Sequence, residues 1–167
     1  MAMTGRCNPI RPARVSDAEQ ITEIYNHYVL RTHITFEEQP VDTASMAQRI
    51  RGIVPSLPWL VWEERQVLGY AYATKWKDRS AYRNSVESTV YLRSDAFGNG
   101  IGTRLYEALV AELCNLGLHS VVGGIALPNA ASIALHEKLG FTKIGHFQQV
   151  GRKFERWIDV GYWQRLL

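Results

Sequence analysis

Ser85-Val86-Glu87-Ser88-Thr89-Val90-Tyr91-Leu92, followed by Arg93-Ser94-Asp95-Ala96-Phe97-Gly98-Asn99-Gly100-Ile101-Gly102, is the stretch on which the fold turns. The first part is rich in β-branched and aromatic residues and predicts a strand. The second is a turn with glycines on alternate positions. After it, Ile101, Leu105, Ala108, Leu109 and Leu116 recur at helical spacing until Gly117 closes the run. A strand, a glycine-rich turn and a helix N-terminus in that order can cradle an anion. Free backbone N–H groups face outward, the helix dipole adds partial positive charge, and glycine removes the Cβ from the approach. An ordinary tight turn would use the same glycines, so the cluster alone leaves both readings open.

Working outward, Ser120 to Ala126 reads as a buried strand, and a strand–helix–strand crossover makes it parallel to Ser85–Leu92. Upstream, Ile10 to Ala13 is a brief strand. Ser16-Asp17-Ala18-Glu19 has capping-box spacing and opens a helix that runs to about Arg31. His33 to Phe36 is an extended piece or loop. A second helix starts near Asp42 or Thr43 and ends before Gly52. Trp59–Glu63 and Val67–Thr74 form a hairpin around Glu64-Arg65-Gln66, and Lys75 to Asn84 is a polar, basic loop. Downstream, a helix spans Ala130 to Leu139 and Gly140 closes it. Strands at Phe141–Val150 and Arg156–Leu166 complete the chain. The expected class is α/β (α+β), with one domain over residues 10–167 behind a flexible tail at 1–9. Its sheet is mixed and mostly antiparallel, with a central parallel pair.

The 167 residues suffice for one domain with a real core. Lys and Arg number 19 against 16 Asp and Glu, a net +3 that suits an anionic ligand but is too weak for a nucleic-acid binder. Two cysteines, Cys7 and Cys114, exclude a disulfide scaffold. No apolar run approaches a membrane span and no signal-peptide core precedes Pro9, so the expected location is the cytoplasm. Gly102-Thr103-Arg104 is not the Gly-Lys-Ser/Thr of a P-loop. A dinucleotide site needs Gly-x-Gly-x-x-Gly and an acidic residue downstream, yet no Asp or Glu lies between Leu113 and His136. No His, Cys, Asp or Glu spacing suggests a metal.

Glu87 is the carboxylate of interest. A period of two puts it on one face with Ser85, Thr89 and Tyr91, opposite Val86, Val90 and Leu92. An isolated strand glutamate is commonly a solvent-facing edge residue. This strand, however, ends at the anion turn, and ligands bind beyond strand carboxyl ends. A carboxylate there can take a proton from an ammonium group. Asn129, Ser132 and His136 share one helix face, with Asn129 a natural N-cap and His136 either a half-buried structural histidine or a donor to a ligand. Lys75-Trp76-Lys77-Asp78-Arg79-Ser80-Ala81-Tyr82-Arg83 is the densest cationic stretch, read as a solvated loop or an anion clamp. Trp59, Trp62, Trp76, Trp157 and Trp163 are expected in core or interface packing.

Phe97-Gly98-Asn99-Gly100-Ile101-Gly102 resembles the coenzyme A motif of GNAT N-acetyltransferases. The chain is similar, more narrowly, to the phosphinothricin (bar-like) and methionine sulfone/sulfoximine acetyltransferases. The resemblance lies in Ile10-Arg11-Pro12-Ala13, Ile24-Tyr25-Asn26, Thr35-Phe36-Glu37, Val86 to Tyr91, Asn129 to His136, Leu139-Gly140-Phe141, Val150 to Phe154 and Arg156 to Val160. It implies a sheet splayed around acetyl-CoA, which is the cosubstrate, with no metal. It implies coenzyme contacts at Val90, Tyr91, Leu92, Phe97, Gly98, Asn99, Gly100, Ile101, Gly102, Thr103, Asn129 and Ser132. Glu87 is implied as base or ammonium anchor, His136 as a donor to the leaving thiolate, and Phe36, Lys77, Arg79 and Arg83 as acceptor contacts. Phe97 departs from the usual Arg or Gln, which shifts the cradle onto backbone N–H groups and Arg104. The implied reaction is direct acetyl transfer to the α-amino group of a small amino-acid-like molecule by a homodimer, without nucleic acid or membrane. Other small amines, a protein N-terminus, and non-catalytic sensing of acyl-coenzyme A are the alternatives.

Overall fold

A computed structural model describes residues 8–167. The strands are β1 (Ile10–Pro12), β2 (Trp59–Glu63), β3 (Val67–Lys75), β4 (Ser85–Leu92), β5 (Ser120–Ala126), β6 (Thr142–Lys153) and β7 (Arg156–Leu166). The helices are α1 (Ala18–Arg31), α2 (Thr43–Ile53), α3 (Ile101–Asn115) and α4 (Ala130–Lys138). They surround one sheet ordered β1-β2-β3-β4-β5-β7-β6. Cys7 and most of the expected tail lie outside the described residues. Pro9 already joins the sheet, its carbonyl accepting the Glu63 N–H at 2.7 Å.

All neighbouring strands are antiparallel except β4 and β5, which are parallel as the crossover predicts. That parallel ladder is short: Ser85↔Ser120, Val86↔Val121 and Glu87↔Val122, after which the two strands part. The register of β4 against β3 continues unbroken to Gly69↔Leu92. Bonds from Trp76 N–H to the Ser85 carbonyl (3.2 Å) and from Arg93 N–H to the Leu68 carbonyl (2.8 Å) show which residues of β4 face β3. They are the odd-numbered ones. Antiparallel alternation therefore turns the N–H and C=O groups of Val86, Ser88, Val90 and Leu92 toward β5. Beyond Glu87 no rung meets them, so the Val90 N–H faces the gap, while the Tyr91 N–H stays in the ladder opposite Tyr70.

Alternation also divides the core. Trp59, Val61, Tyr70 and Tyr91 pack under α1 and α2 with Ile21, Ile24, Tyr28, Met46 and Ile50. Leu60, Trp62, Ala71, Val86 and Val121 pack under α3 with Leu105, Tyr106, Leu109 and Leu113. Burial on both faces explains why β2 reads as a continuous apolar run. Trp59, Trp62 and Trp163 are core, Trp76 is half-buried, and Trp157 is exposed on β7.

The capping expectation at Ser16 fails. A short 3-10 turn, Val15–Asp17, precedes α1, and Asp17 occupies the cap position. Its buried carboxylate receives the Arg14 N–H at 2.7 Å and both terminal nitrogens of Arg11 at 2.8 Å. Arg11 also bonds Glu63, so Asp17 is held by a partner on β1 that local spacing does not reveal. Asp42 does cap α2, accepting the Ser45 N–H at 2.7 Å, and that helix continues through Gly52 to Ile53.

Candidate active site

The parting of β4 and β5 opens a two-chambered cleft. The larger chamber, about 560 Å³, is walled by Tyr28, Leu92, Phe97, Gly98, Gly100 to Thr103 and Leu135. The smaller, about 270 Å³, is walled by Thr35, Phe36, Glu87, Thr89, Gly124, His136, Val160 and Tyr162. Ile34, Val90, Tyr91, Asn129 and Ser132 line both, so the chambers meet at the end of β4.

The larger chamber has the chemistry of a pyrophosphate cradle. Gly98 (φ 81°) and Gly100 (φ 73°) are left-handed, a conformation that costs other residues strain. Gly100 is the N-cap of α3 and supplies no side-chain acceptor, which leaves the helix's first N–H groups unspent by a cap. Gly102 packs between Leu92 and Leu135. Asn129 caps α4, its Oδ1 accepting the Ser132 N–H at 3.1 Å. Phe97 is exposed on the rim. Two expected coenzyme contacts lie elsewhere. Asn99 lines a neighbouring groove with Trp62, Glu64 and Arg93, and the Arg104 guanidinium sits 4.5 Å from the Trp62 ring centroid. The cradle is therefore backbone and glycine, and Arg104 is taken up by cation–π packing.

Glu87 occupies the last rung of the parallel ladder and projects into the smaller chamber. Burial raises its pKa, and the Lys77 charge opposes the rise. Two glycines in the middle of β5 make room on either face. A Cβ at Gly124 would come within 3.1 Å of Glu87 Oε1 and 3.3 Å of the Tyr162 ring, and one at Gly123 would run into the His136 ring. Paired glycines inside a buried strand signal close approach, a cue present in the sequence.

His136 is buried, and burial lowers its pKa, so the ring is neutral. Nδ1 is 2.7 Å from the Ser132 carbonyl, which can only accept, so Nδ1 carries the proton. Nε2 then accepts from the Tyr106 hydroxyl at 3.0 Å, and Tyr106 accepts from the Ser88 hydroxyl at 2.5 Å. Both ring nitrogens are engaged within the protein, which leaves the imidazole no free N–H for a thiolate. Ser132, with its Oγ 3.4 Å from Nδ1, is the hydroxyl at the junction of the chambers.

Of the expected acceptor contacts, Phe36 and Glu87 meet in the smaller chamber. Lys77, Arg79 and Arg83 are exposed and outside its lining. Lys77 lies 4.7 Å from the Trp76 ring centroid, and Trp76 packs edge-on against Tyr162. Arg83 bonds the Ser80 carbonyl of its own loop at 3.3 Å. Sequence reading missed Thr35, Thr89, Tyr162 and the Ser88–Tyr106 pair, which only the folded chain brings together. Among the described residues, no group of three or more His, Cys, Asp or Glu could hold a metal ion.

Comparison with known proteins agrees with this geometry. The Acetyltransferase (GNAT) domain model matches residues 10–161. A phosphinothricin N-acetyltransferase of Streptomyces coelicolor is 37% identical over 163 residues, 95% of each chain. An L-methionine sulfoximine/L-methionine sulfone acetyltransferase of Salmonella typhimurium is 40% identical over 161 residues, 93% of this chain and 92% of that one. Among solved structures, a GNAT superfamily phosphinothricin acetyltransferase of Sinorhizobium meliloti in complex with AcCoA superposes with a TM-score of 0.92 at 39% identity. The match covers 95% of this chain and 87% of that one. A glycine cradle beside a splayed parallel pair, matched over nearly the whole length, leaves one conclusion: the chain belongs to the GNAT acetyltransferases and is an acetyl-CoA-dependent N-acetyltransferase.

Proposed function

We propose that the enzyme acetylates the α-amino group of a small amino-acid-like acceptor of the phosphinothricin or methionine sulfone/sulfoximine type. The observation that carries this is Glu87, a carboxylate with a raised pKa at the point where β4 and β5 part. No cation of the described residues pairs with it. It is free to receive an ammonium group and to take its proton, directly or through a water.

The cradle from Gly98 to Thr103 would hold the pyrophosphate, with Leu92, Asn129 and Ser132 along the pantetheine path. When bound, acetyl-CoA supplies an activated acyl thioester. The Val90 N–H, turned into the gap, would donate to a carbonyl oxygen there and stabilise developing negative charge. The neutral His136, fixed by Tyr106, would hold Ser132 at the chamber junction. Phe36 and Tyr162 supply apolar walls. Lys77 is the cation that acts on Glu87, and the loop that carries it, with Arg79 and Arg83, adds positive potential for a carboxylate or oxyanion.

The catalytic domain runs from residue 10 to residue 167, and the enzyme acts as a homodimer in the cytoplasm, where acetyl-CoA is at hand. The dimer is supported by the long edge hairpin of β6 and β7, where Ile144, Phe147, Val150 and Trp157 are exposed. Such an edge is ordinarily covered. No helix of the described residues is long and apolar enough to cross a membrane.

A thiol-release assay with acetyl-CoA and a panel of acceptors tests the reading. Methionine sulfone, methionine sulfoximine and phosphinothricin should be turned over, and their decarboxylated analogues much less. Equal turnover of the decarboxylated amines would reject the amino-acid acceptor.

A further inference from the structure

The β6–β7 hairpin ends in a two-residue turn, Phe154-Glu155, between the paired Lys153 and Arg156. Both turn residues have positive φ, 49° and 60°, the geometry that Asn-Gly adopts readily. Phe and Glu adopt it under strain, and strained backbone persists where surrounding contacts over-determine it. Lys153 supplies such a contact. It is 2% exposed, and its ammonium donates to the Thr35 carbonyl at 2.7 Å. No carboxylate of the described residues lies within ion-pair distance, although Glu37 and Glu38 act on it at longer range. The ammonium also lies 5.2 Å from the Phe154 ring centroid, so this buried cation, whose hydrogen bond goes to a loop carbonyl, joins the hairpin turn to the loop.

Gly151, two residues earlier, abuts the same loop. A Cβ there would meet the Phe36 ring at 2.5 Å. The loop is also tied by Tyr25 to Thr35, at 2.8 Å between hydroxyls, by His33 to the Pro128 carbonyl at 3.1 Å, and by the Arg49–Glu37 ion pair at 2.8 Å. Ile34, Thr35 and Phe36 wall the smaller chamber, whereas only Ile34 reaches the larger one.

We propose that Lys153 is the latch of the acceptor chamber, a positioning residue that holds the Thr35–Phe36 wall at the spacing an amino-acid acceptor requires. It acts through the loop and leaves the coenzyme chamber untouched. The inference rests on the acceptor reading of the smaller chamber given above.

Lys153→Met keeps the apolar stem and removes the donor. The KM for methionine sulfone should rise roughly 10- to 150-fold, the range for loss of a hydrogen bond to a charged group. The kcat at saturation and the acetyl-CoA KM should stay close to wild type. Amide exchange at Thr35 and Phe36 in the free enzyme should accelerate, which reads the latch without turnover. Unchanged acceptor KM with unchanged exchange overturns the proposal, and so does an equal rise in both KM values, the signature of general loosening. Accelerated exchange in a protein whose wild type acetylates no amino acid would uphold the latch and reject the acceptor reading instead. Gly151→Ala serves if Lys153→Met does not fold. Its methyl group presses on Phe36 from the hairpin side, so a raised acceptor KM beside a normal acetyl-CoA KM is expected, and an unchanged acceptor KM overturns the latch.

Discussion

Glu87 sets stability against use. Its pKa is raised by burial, so the folded state holds the proton more tightly than the unfolded chain does. Ionising it therefore costs stability, a penalty absent below the unfolded glutamate pKa of about 4.3 and complete once pH exceeds the folded value. Glu87→Gln should raise Tm at neutral pH and leave it unchanged in acid, while kcat falls by about 10²–10⁴-fold. Paired melting and single-turnover measurements on one preparation check both. The wild-type rate should fall on the acid side of neutrality with an apparent pKa above the ordinary glutamate range, and Glu87→Gln should flatten that limb. Glu87 was legible in the sequence because period two and the adjoining glycine turn fixed its face and its place. The role expected of His136 was not. Helical spacing located the residue, but Tyr106 and Ser88 reach it from α3 and β4. Tyr106→Phe should strand Nε2 without a donor and cost about 1–3 kcal/mol in urea unfolding.

At the scale of elements, α3 begins where the backbone turns left-handed at Gly98 and Gly100. No heavy atom lies within 4 Å of a Cβ built at either, so conformation and not crowding demands glycine there. Gly100→Asp would add backbone strain of order 1 kcal/mol and place a negative charge at the cradle. Calorimetry should show acetyl-CoA affinity reduced by at least about tenfold in the folded variant, and unchanged affinity would reject the cradle. Elements of this kind were legible because they are decided locally. The strands β4 and β5 fall where β-branched runs meet Gly and Pro, and α4 falls between Asn129 and Gly140. The start of α1 was misread because Asp17 answers to Arg11 on β1 and, through it, to Glu63 on β2, partners that local spacing does not show.

Over the whole molecule, that clamp joins β1, β2 and the entry to α1. Burial works against the Asp17 carboxylate, but the Arg11 guanidinium and the Arg14 N–H hold its pKa below the ordinary aspartate value. The stability it contributes is complete above the unfolded aspartate pKa of about 3.9 and is lost as pH falls through the lower folded value. Arg11→Met removes that support, so the acid-unfolding midpoint followed by circular dichroism should move to higher pH. The architecture was readable from the order of elements and from the one strand–helix–strand crossover that makes β4 and β5 parallel. The two-chamber cleft was not, since it depends on how soon the parallel ladder ends.

Three rungs between β4 and β5 are the whole of the parallel ladder that links the two antiparallel half-sheets. A ligand lodged in the fork touches both arms and works as a keystone, carrying load that backbone pairing does not. Binding should then register as mechanical cohesion. At about 100 times its dissociation constant a ligand adds about 2.7 kcal/mol to the native state, and here that gain should concentrate in slower amide exchange along both arms of the fork. The opening that admits substrate is also the seam along which the unliganded sheet would first come apart.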